Sequence, residues 1–256
     1  MRVYKFLSAT HALEDLAEHR IKISEFSDMN DPFELQGVNF YSERADVRQE
    51  DIDAITQSIV DHFYGTVGAL CLSRDWKNPV LWSHYADKHK GICLGFEVAA
   101  EIEIQEPNYV KCQERACVDP MFSEAATKRA SGDLKSPAPK SQETFLRLLS
   151  TKFDAWRYED EVRLLVRRDE KVGDFYFYPF DDKFKLTDVI LGVRCPVPVA
   201  KLKRDLRDYP EPINITRAAL SKTAFEMVVG SLDEPKPLDS LAQKLLKEVG
   251  KVPRPE

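Results

Sequence analysis

The run Trp156-Arg157-Tyr158-Glu159-Asp160-Glu161-Val162-Arg163-Leu164-Leu165-Val166 constrains the chain more than any other stretch. A long amphipathic helix is expected to end there and a strand to begin. If Glu159 to Val166 is extended, its side chains alternate between two faces. Val162, Leu164 and Val166 then share one face, and Glu159, Glu161 and Arg163 share the other. Three charges on one face of an otherwise apolar strand are costly to bury unless they are paired or used. Two readings follow. The face is solvated and carries a cross-paired Glu and Arg, or the carboxylates point into a cleft and Arg163 holds one of them ionised.

The remainder supplies a frame for such a strand. Val3 to Leu7 and Arg20 to Ser24 read as short strands, with a helix between them that Thr10 would cap. Asn30-Asp31-Pro32-Phe33-Glu34 reads as an Asx-turn or as a rigid loop lending Asn30 or Glu34 to a cleft. Ile52, Ile55, Ile59 and Phe63 recur at helical spacing, which predicts a helix over 50–64. Gly68 to Ser73 suits a buried strand, and Ser73-Arg74-Asp75 stands at its end. Asn78-Pro79 opens a helix on which Trp82 and Tyr85 share a face and His84 flanks it. The two rings serve as core or as a stacking surface, and both have polar tips that need a partner. Strands follow at Ile92 to Val98 and Tyr109 to Cys112, and a helix over 141–156 turns Phe145, Leu148, Leu149 and Phe153 inward. Later strands are expected at Phe175 to Phe180, Thr187 to Val193, Ile213 to Leu220 and Thr223 to Val229, with a surface helix from Pro198 to Asp208.

Strands come in runs without regular βα alternation. The expected fold is therefore α+β: a single domain over 1–230, with antiparallel-rich mixed sheets and inserted helices around a cleft. Residues 119–141 read as a flexible insertion and 231–256 as an amphipathic helix and tail. An apolar fraction of 43% is enough for an ordinary core. The net charge of −6 argues against broad electrostatic binding of nucleic acid, though not against a local basic groove. Five cysteines in a chain of this length do not form a disulfide framework pattern. The start has no apolar leader and no run is long enough to span a membrane, so a cytoplasmic protein is expected.

Several chemistries find no motif. The spacings Cys112-x4-Cys117 and His84-x4-His89 do not match common zinc sites, and no metal is expected. There is no Gly-rich phosphate loop and no Gly-x-Ser-x-Gly elbow. Glu159-x-Glu161 remains. Two such carboxylates suit an oxocarbenium-like transition state, one bonding a ribose hydroxyl and the other positioning or deprotonating an acceptor.

Tyr4-Lys5-Phe6, Asn30-Asp31-Pro32-Phe33-Glu34, Leu72-Ser73, Leu81-Trp82-x-His84-Tyr85-Ala86, His89-Lys90-Gly91-Ile92-Cys93-Leu94-Gly95-Phe96 and Trp156-x-Tyr158-Glu159-x-Glu161-x-Arg163-Leu164 occur in consistent order. Together they resemble an uncharacterised bacterial family, domain of unknown function 2971, over roughly residues 3–195. A more distant likeness is to ADP-ribosyltransferases, including toxins that modify nucleic acid. That likeness implies an NAD-dependent ADP-ribosyltransferase or NAD glycohydrolase, in the setting of a toxin or phage-defence effector, with NAD as co-substrate and a nucleic acid or protein as acceptor. The matching positions are Lys5 or His11, Ser73 with Tyr85, and Glu159 with Glu161. Glu161 would be the catalytic carboxylate, with Glu159 and Arg163 beside it. Trp82 or Tyr85 would stack the nicotinamide, Ser73 and Arg74 would support ribose or phosphates, Asn30 would line the cleft, and His84 is a further candidate binding residue. The early Arg or His typical of those enzymes is not cleanly placed here. Two other readings stand beside this one: another nucleotide- or nucleic-acid-processing enzyme using the same charged residues, and a non-catalytic binding module.

Overall fold

The computed structural model describes residues 1–123, 146–169 and 171–232. The expected tail from 233 onward and most of the expected insertion, 124–141, lie outside the described residues. The strands are β1 Arg2–Leu7, β2 Arg20–Lys22, β3 Ser24–Glu25, β4 Val38–Tyr41, β5 Val67–Ser73, β6 Ile92–Val98, β7 Asn108–Val110 and β8 Glu114–Cys117. They continue as β9 Thr151–Phe153, β10 Glu161–Arg167, β11 Lys171–Val172, β12 Phe175–Pro179, β13 Phe184–Leu191, β14 Asn214–Leu220 and β15 Met227–Gly230. The helices that lie wholly within the described residues are α1 Ala9–Ala17, α2 Gln49–Thr66, α3 Pro79–Tyr85 and α4 Val199–Asp205.

Eight strands form the main sheet, in the order β10-β5-β1-β6-β13-β14-β15, with β3 also on β5. Its pairings are antiparallel except β13 with β14. Short sheets β11-β12-β2, β4-β8 and β7-β9 attach around it, the last two parallel. The expected α+β class, one domain with mixed sheets and inserted helices, is what the chain forms.

Both faces of the main sheet are covered, which is why β6 reads as the near-continuous apolar run Ile92-Cys93-Leu94-Gly95-Phe96. Ile92, Leu94 and Phe96 join a large core with Val3, Leu16, Leu70, Val162 and Leu202. Tyr4, Phe6, Cys93 and Ile190 face the other way, against Leu81 and Trp82 of α3. A third cluster, including Phe26, Leu35, Val60 and Leu148, lies under α2. Gly91 permits a close approach: a side chain there would meet the Leu7 carbonyl oxygen at 2.0 Å.

Several local expectations need correction. The cap of α1 is Ser8, whose Oγ accepts from the His11 N–H at 3.2 Å, rather than Thr10. In α2 the buried residues are Ile52 and Val60, and Ile55 is left half-exposed, because the core meets only part of the apolar stripe. The helix expected to reach Trp156 stops near Ser150. Thr151 turns its Oγ1 back onto the Arg147 carbonyl at 2.7 Å, and 151–153 becomes β9, paired with β7. A 3-10 turn, Asp154–Glu159, follows. Strand β10 then begins at Glu161, because Asp160 is left-handed (φ 43°). Glu159 is thus not on the strand, and a turn rather than the pleat brings it beside Glu161.

One irregularity positions the site. Strands β1 and β5 meet only at Tyr4 and Ser73, and then part. The first half of β5 pairs instead with β3, Ser24 opposite Ala69. The parting leaves backbone groups without ladder partners. Lys5 fills one gap, its ammonium donating to the Cys71 carbonyl at 3.0 Å.

Candidate functional site

A cavity of about 350 Å³ opens at this parting of the sheet. Its wall is supplied by β1 (Lys5), β5 (Cys71, Ser73), the 28–34 loop (Asn30, Glu34), α3 (Tyr85), β9 (Lys152) and the turn into β10 (Glu159, Glu161). The volume falls within the usual range for small-molecule sites.

Each polar group arrives for a local reason. Asp31 closes its Asx-turn by accepting from the Phe33 N–H at 2.9 Å, and this holds Asn30 and Glu34 on either side of Pro32. Asn78 caps α3, its Oδ1 accepting from the Val80 N–H at 2.9 Å, while its amide donates to the Tyr158 carbonyl at 2.7 Å. One residue thus fixes α3 against the 154–159 turn, so Tyr85 and Glu159 meet. Glu161 stands opposite Ser73 on β5, and its N–H donates to the Tyr109 hydroxyl at 3.2 Å.

The floor is a buried ionic network. Glu34, Lys152, Glu159, Glu161 and Arg163 are all no more than 6% exposed. The Lys152 ammonium bonds both Glu159 and Glu161, the latter at 2.6 Å. Arg163 donates from Nε to Glu161 at 2.9 Å and grips Glu34 with both terminal nitrogens, at 2.8 and 2.6 Å. It also reaches the Leu149 carbonyl at 3.2 Å. Tyr85 donates its hydroxyl proton to Glu159 and accepts from Asn30 at 2.9 Å. A continuous chain of bonds therefore runs from Asn30 to Glu34 through five charged or phenolic groups.

The electrostatics follow. Burial by itself would raise the Glu161 carboxyl, but the Arg163 and Lys152 charges outweigh it and hold the group at about 2. Burial would lower the Lys152 ammonium, yet the charges of Glu161 and Glu159 leave it raised. The Tyr85 phenol is raised, by burial first and then by its bond to Glu159. Burial, with Glu161 nearby, pushes the Cys71 thiol up to about 12, so Cys71 is a poor nucleophile. A carboxylate accepts about four hydrogen bonds. Glu159 receives one on each oxygen, and so retains acceptor capacity in the cavity wall.

The structure gathers some of the candidate residues and separates others. Lys5, Asn30, Ser73, Tyr85, Glu159 and Glu161 line the cavity. Arg163 stands behind Glu161, only 1% exposed. Ser73 is buried, its Oγ donating to the Asp75 carbonyl at 3.0 Å. Trp82 is wholly buried, packs edge-on against Phe6 and donates to the Trp76 carbonyl at 2.6 Å. It presents no stacking face, because α3 turns that side onto the sheet. His84 is exposed and bonds the Tyr158 hydroxyl at 3.0 Å. Arg74 is outside the cavity lining, paired with Glu106 and Asp160, and His11 is exposed on α1. Reading the sequence missed Lys152, which had been absorbed into the expected helix over 141–156. Its one signal is a lone lysine set among Leu148, Leu149, Thr151 and Phe153.

Residues 81–164 match the family model described as Protein of unknown function (DUF2971). The match supports the resemblance to that family of unknown function. It covers α3 through most of β10, and so includes Tyr85, Lys152, Glu159, Glu161 and Arg163. No curated protein and no solved structure matches the chain. The likeness to ADP-ribosyltransferases therefore gains no support from known proteins. Among the described residues, no helix is long and apolar enough to cross a membrane.

Proposed function

We propose that the DUF2971-like region and the strands around it form an enzyme that cleaves the N-glycosidic bond of NAD, transferring ADP-ribose to an acceptor or to water. The observation that carries this reading is the buried carboxylate of Glu161, held ionised by Arg163 and Lys152, in the wall of the cavity. In the step envisaged, the bond between ribose C1′ and the nicotinamide nitrogen breaks, and neutral nicotinamide leaves with the bonding pair. Positive charge develops on the ribose. The carboxylates of Glu161 and Glu159 stabilise it and accept from ribose hydroxyls. The acceptor oxygen or nitrogen then bonds C1′ and loses its proton to Glu159 or to solvent. Asn30 and Tyr85, bonded to each other and to Glu159, orient the bound molecule beside the carboxylates.

A non-catalytic binding module is the second reading. It is favoured by the fact that Lys152 and Arg163 already pair with both carboxylates, as a purely structural network would.

The deciding experiment titrates NAD into the wild-type chain and the Glu161→Gln variant by calorimetry and follows nicotinamide release in parallel. Binding by both with release only from the wild type supports the enzyme. Release by the folded variant overturns the role of Glu161, and wild-type protein that neither binds nor releases overturns the NAD reading. Should Glu161→Gln fail to fold, Asn30→Ala serves instead. Its side chain is exposed, and its loss is expected to raise KM with little change in circular dichroism.

A further inference from the structure

Beside the cavity, the small sheet of β2, β11 and β12 presents an outer face that combines cations with aromatic rings. Lys22 stands opposite Phe177, and Arg20 opposite Pro179. With period-two alternation, Arg20, Lys22, Phe175 and Phe177 all share this outer side, while Ile21 and Tyr178 face the core. The cations and rings interleave diagonally. The Arg20 guanidinium lies 4.0 Å from the centre of the Phe177 ring, and the Lys22 ammonium 3.9 Å from that of Phe175. Phe175 is 45% exposed, a large apolar group left to water. Among the described residues, the carboxylate paired here is Glu18, 3.9 Å from Arg20. The strip leads into the cavity, because Lys22 and Ser24 belong to its wall.

We infer that this strip is a track for single-stranded nucleic acid, which would make such a strand the acceptor presented to the cavity. The identity of the acceptor rests on the transfer reading given above, whereas binding to the strip does not. Two rings on alternate residues of a strand stand about 7 Å apart, so each takes one base. Bases stack on aromatic faces whatever their sequence, and adjacent cations take the phosphates. Arg20 and Lys22, which rest on the rings in the free chain, move to the phosphates as bases replace them. A chain of net charge −6 repels a polyanion overall. Attraction must therefore come from stacking and from these two cations, and the salt dependence should be shallow, a log–log slope of about −1 to −2. A duplex hides its base faces and should not use the strip.

The test is fluorescence anisotropy of a labelled oligothymidylate at low salt, with the full chain, the Phe175→Ala/Phe177→Ala double variant and Arg20→Ala. Saturable binding by the wild type, weakened at least about thirtyfold in the double variant and showing a shallower salt slope in Arg20→Ala, is the expected result. Absence of wild-type binding, undiminished binding by the double variant, or equal affinity for duplex would overturn the proposal. Nicotinamide release without acceptor should be unchanged in the double variant. If release is absent from every protein while oligonucleotide binding still depends on the rings, the cavity reading fails and the strip stands.

Discussion

Two sets of charged residues on strands of different sheets meet opposite fates in this molecule. Around β10, Glu161 and Arg163 alternate with Val162 and Leu164, and all four are buried. On β2, Arg20 and Lys22 alternate with Ile21, and only Ile21 is fully buried. The alternation is the same. What differs is what arrives over the charged face: Glu34 from a distant loop and Lys152 from β9 in one case, and only the partly exposed rings of Phe175 and Phe177 in the other. A buried charge is tolerable when partners complete its hydrogen bonds, and removing one partner leaves the others stranded. An exposed cation resting on a ring contributes little to folding and is free for binding.

The comparison can be broken most directly at its buried end. Arg163→Met leaves Glu34 and Glu161 without their guanidinium, and should cost about 3–5 kcal/mol in urea denaturation. A loss below about 1 kcal/mol would mean that the network is looser than its geometry.

The pH dependence sharpens the same point. Glu161 sits at about 2 against an ordinary 4.5, so the folded state holds its proton less tightly than the unfolded chain. Its stabilisation, roughly 3 kcal/mol, is present above pH 4.5 and is lost as pH falls toward 2. Asp15, buried at the base of α1, has the opposite sign. Burial raises it to about 7 from 3.8, although Lys5 pulls it down. Stability therefore falls as pH rises from 3.8 to 7. Asp15→Asn should flatten that decline and leave the acid limb intact, as thermal melts at successive pH values would reveal.

Tyr85→Phe is an intermediate case. It removes one hydroxyl between Asn30 and Glu159, and should cost about 1–2 kcal/mol while weakening whatever the cavity binds. The smallest effect is expected at the exposed end. Arg20→Ala should change the denaturation midpoint by less than about 0.5 kcal/mol. A loss comparable to that of Arg163→Met would erase the contrast between the two regions.

Much of the frame was legible. β6 was expected over Ile92 to Val98 and has those bounds, because an apolar run closed by Gly91 leaves few alternatives. The cap at Asn78-Pro79 was readable because capping is local. The charged face of the 161–163 segment was correctly seen to need partners, and Glu34 had been noted as a loop residue able to reach a cleft. The helix over 141–156 was misread. Its apolar spacing satisfies a helix, but Thr151 to Phe153 gain a parallel partner in β7, over forty residues away, and tertiary pairing overrides propensity. Lys152 was lost with it.

By itself, the sequence determined elements such as β6 and α3, and that Glu161 and Arg163 would share a face, since period and capping act over a few residues. Only the tertiary structure decided that β1 and β5 part to leave a cavity, that a left-handed Asp160 folds Glu159 back beside Glu161, and that Lys152 and Glu34 complete the network. Those outcomes depend on contacts between segments far apart in the chain, where the free energy of pairing and burial, and not local preference, selects the conformation.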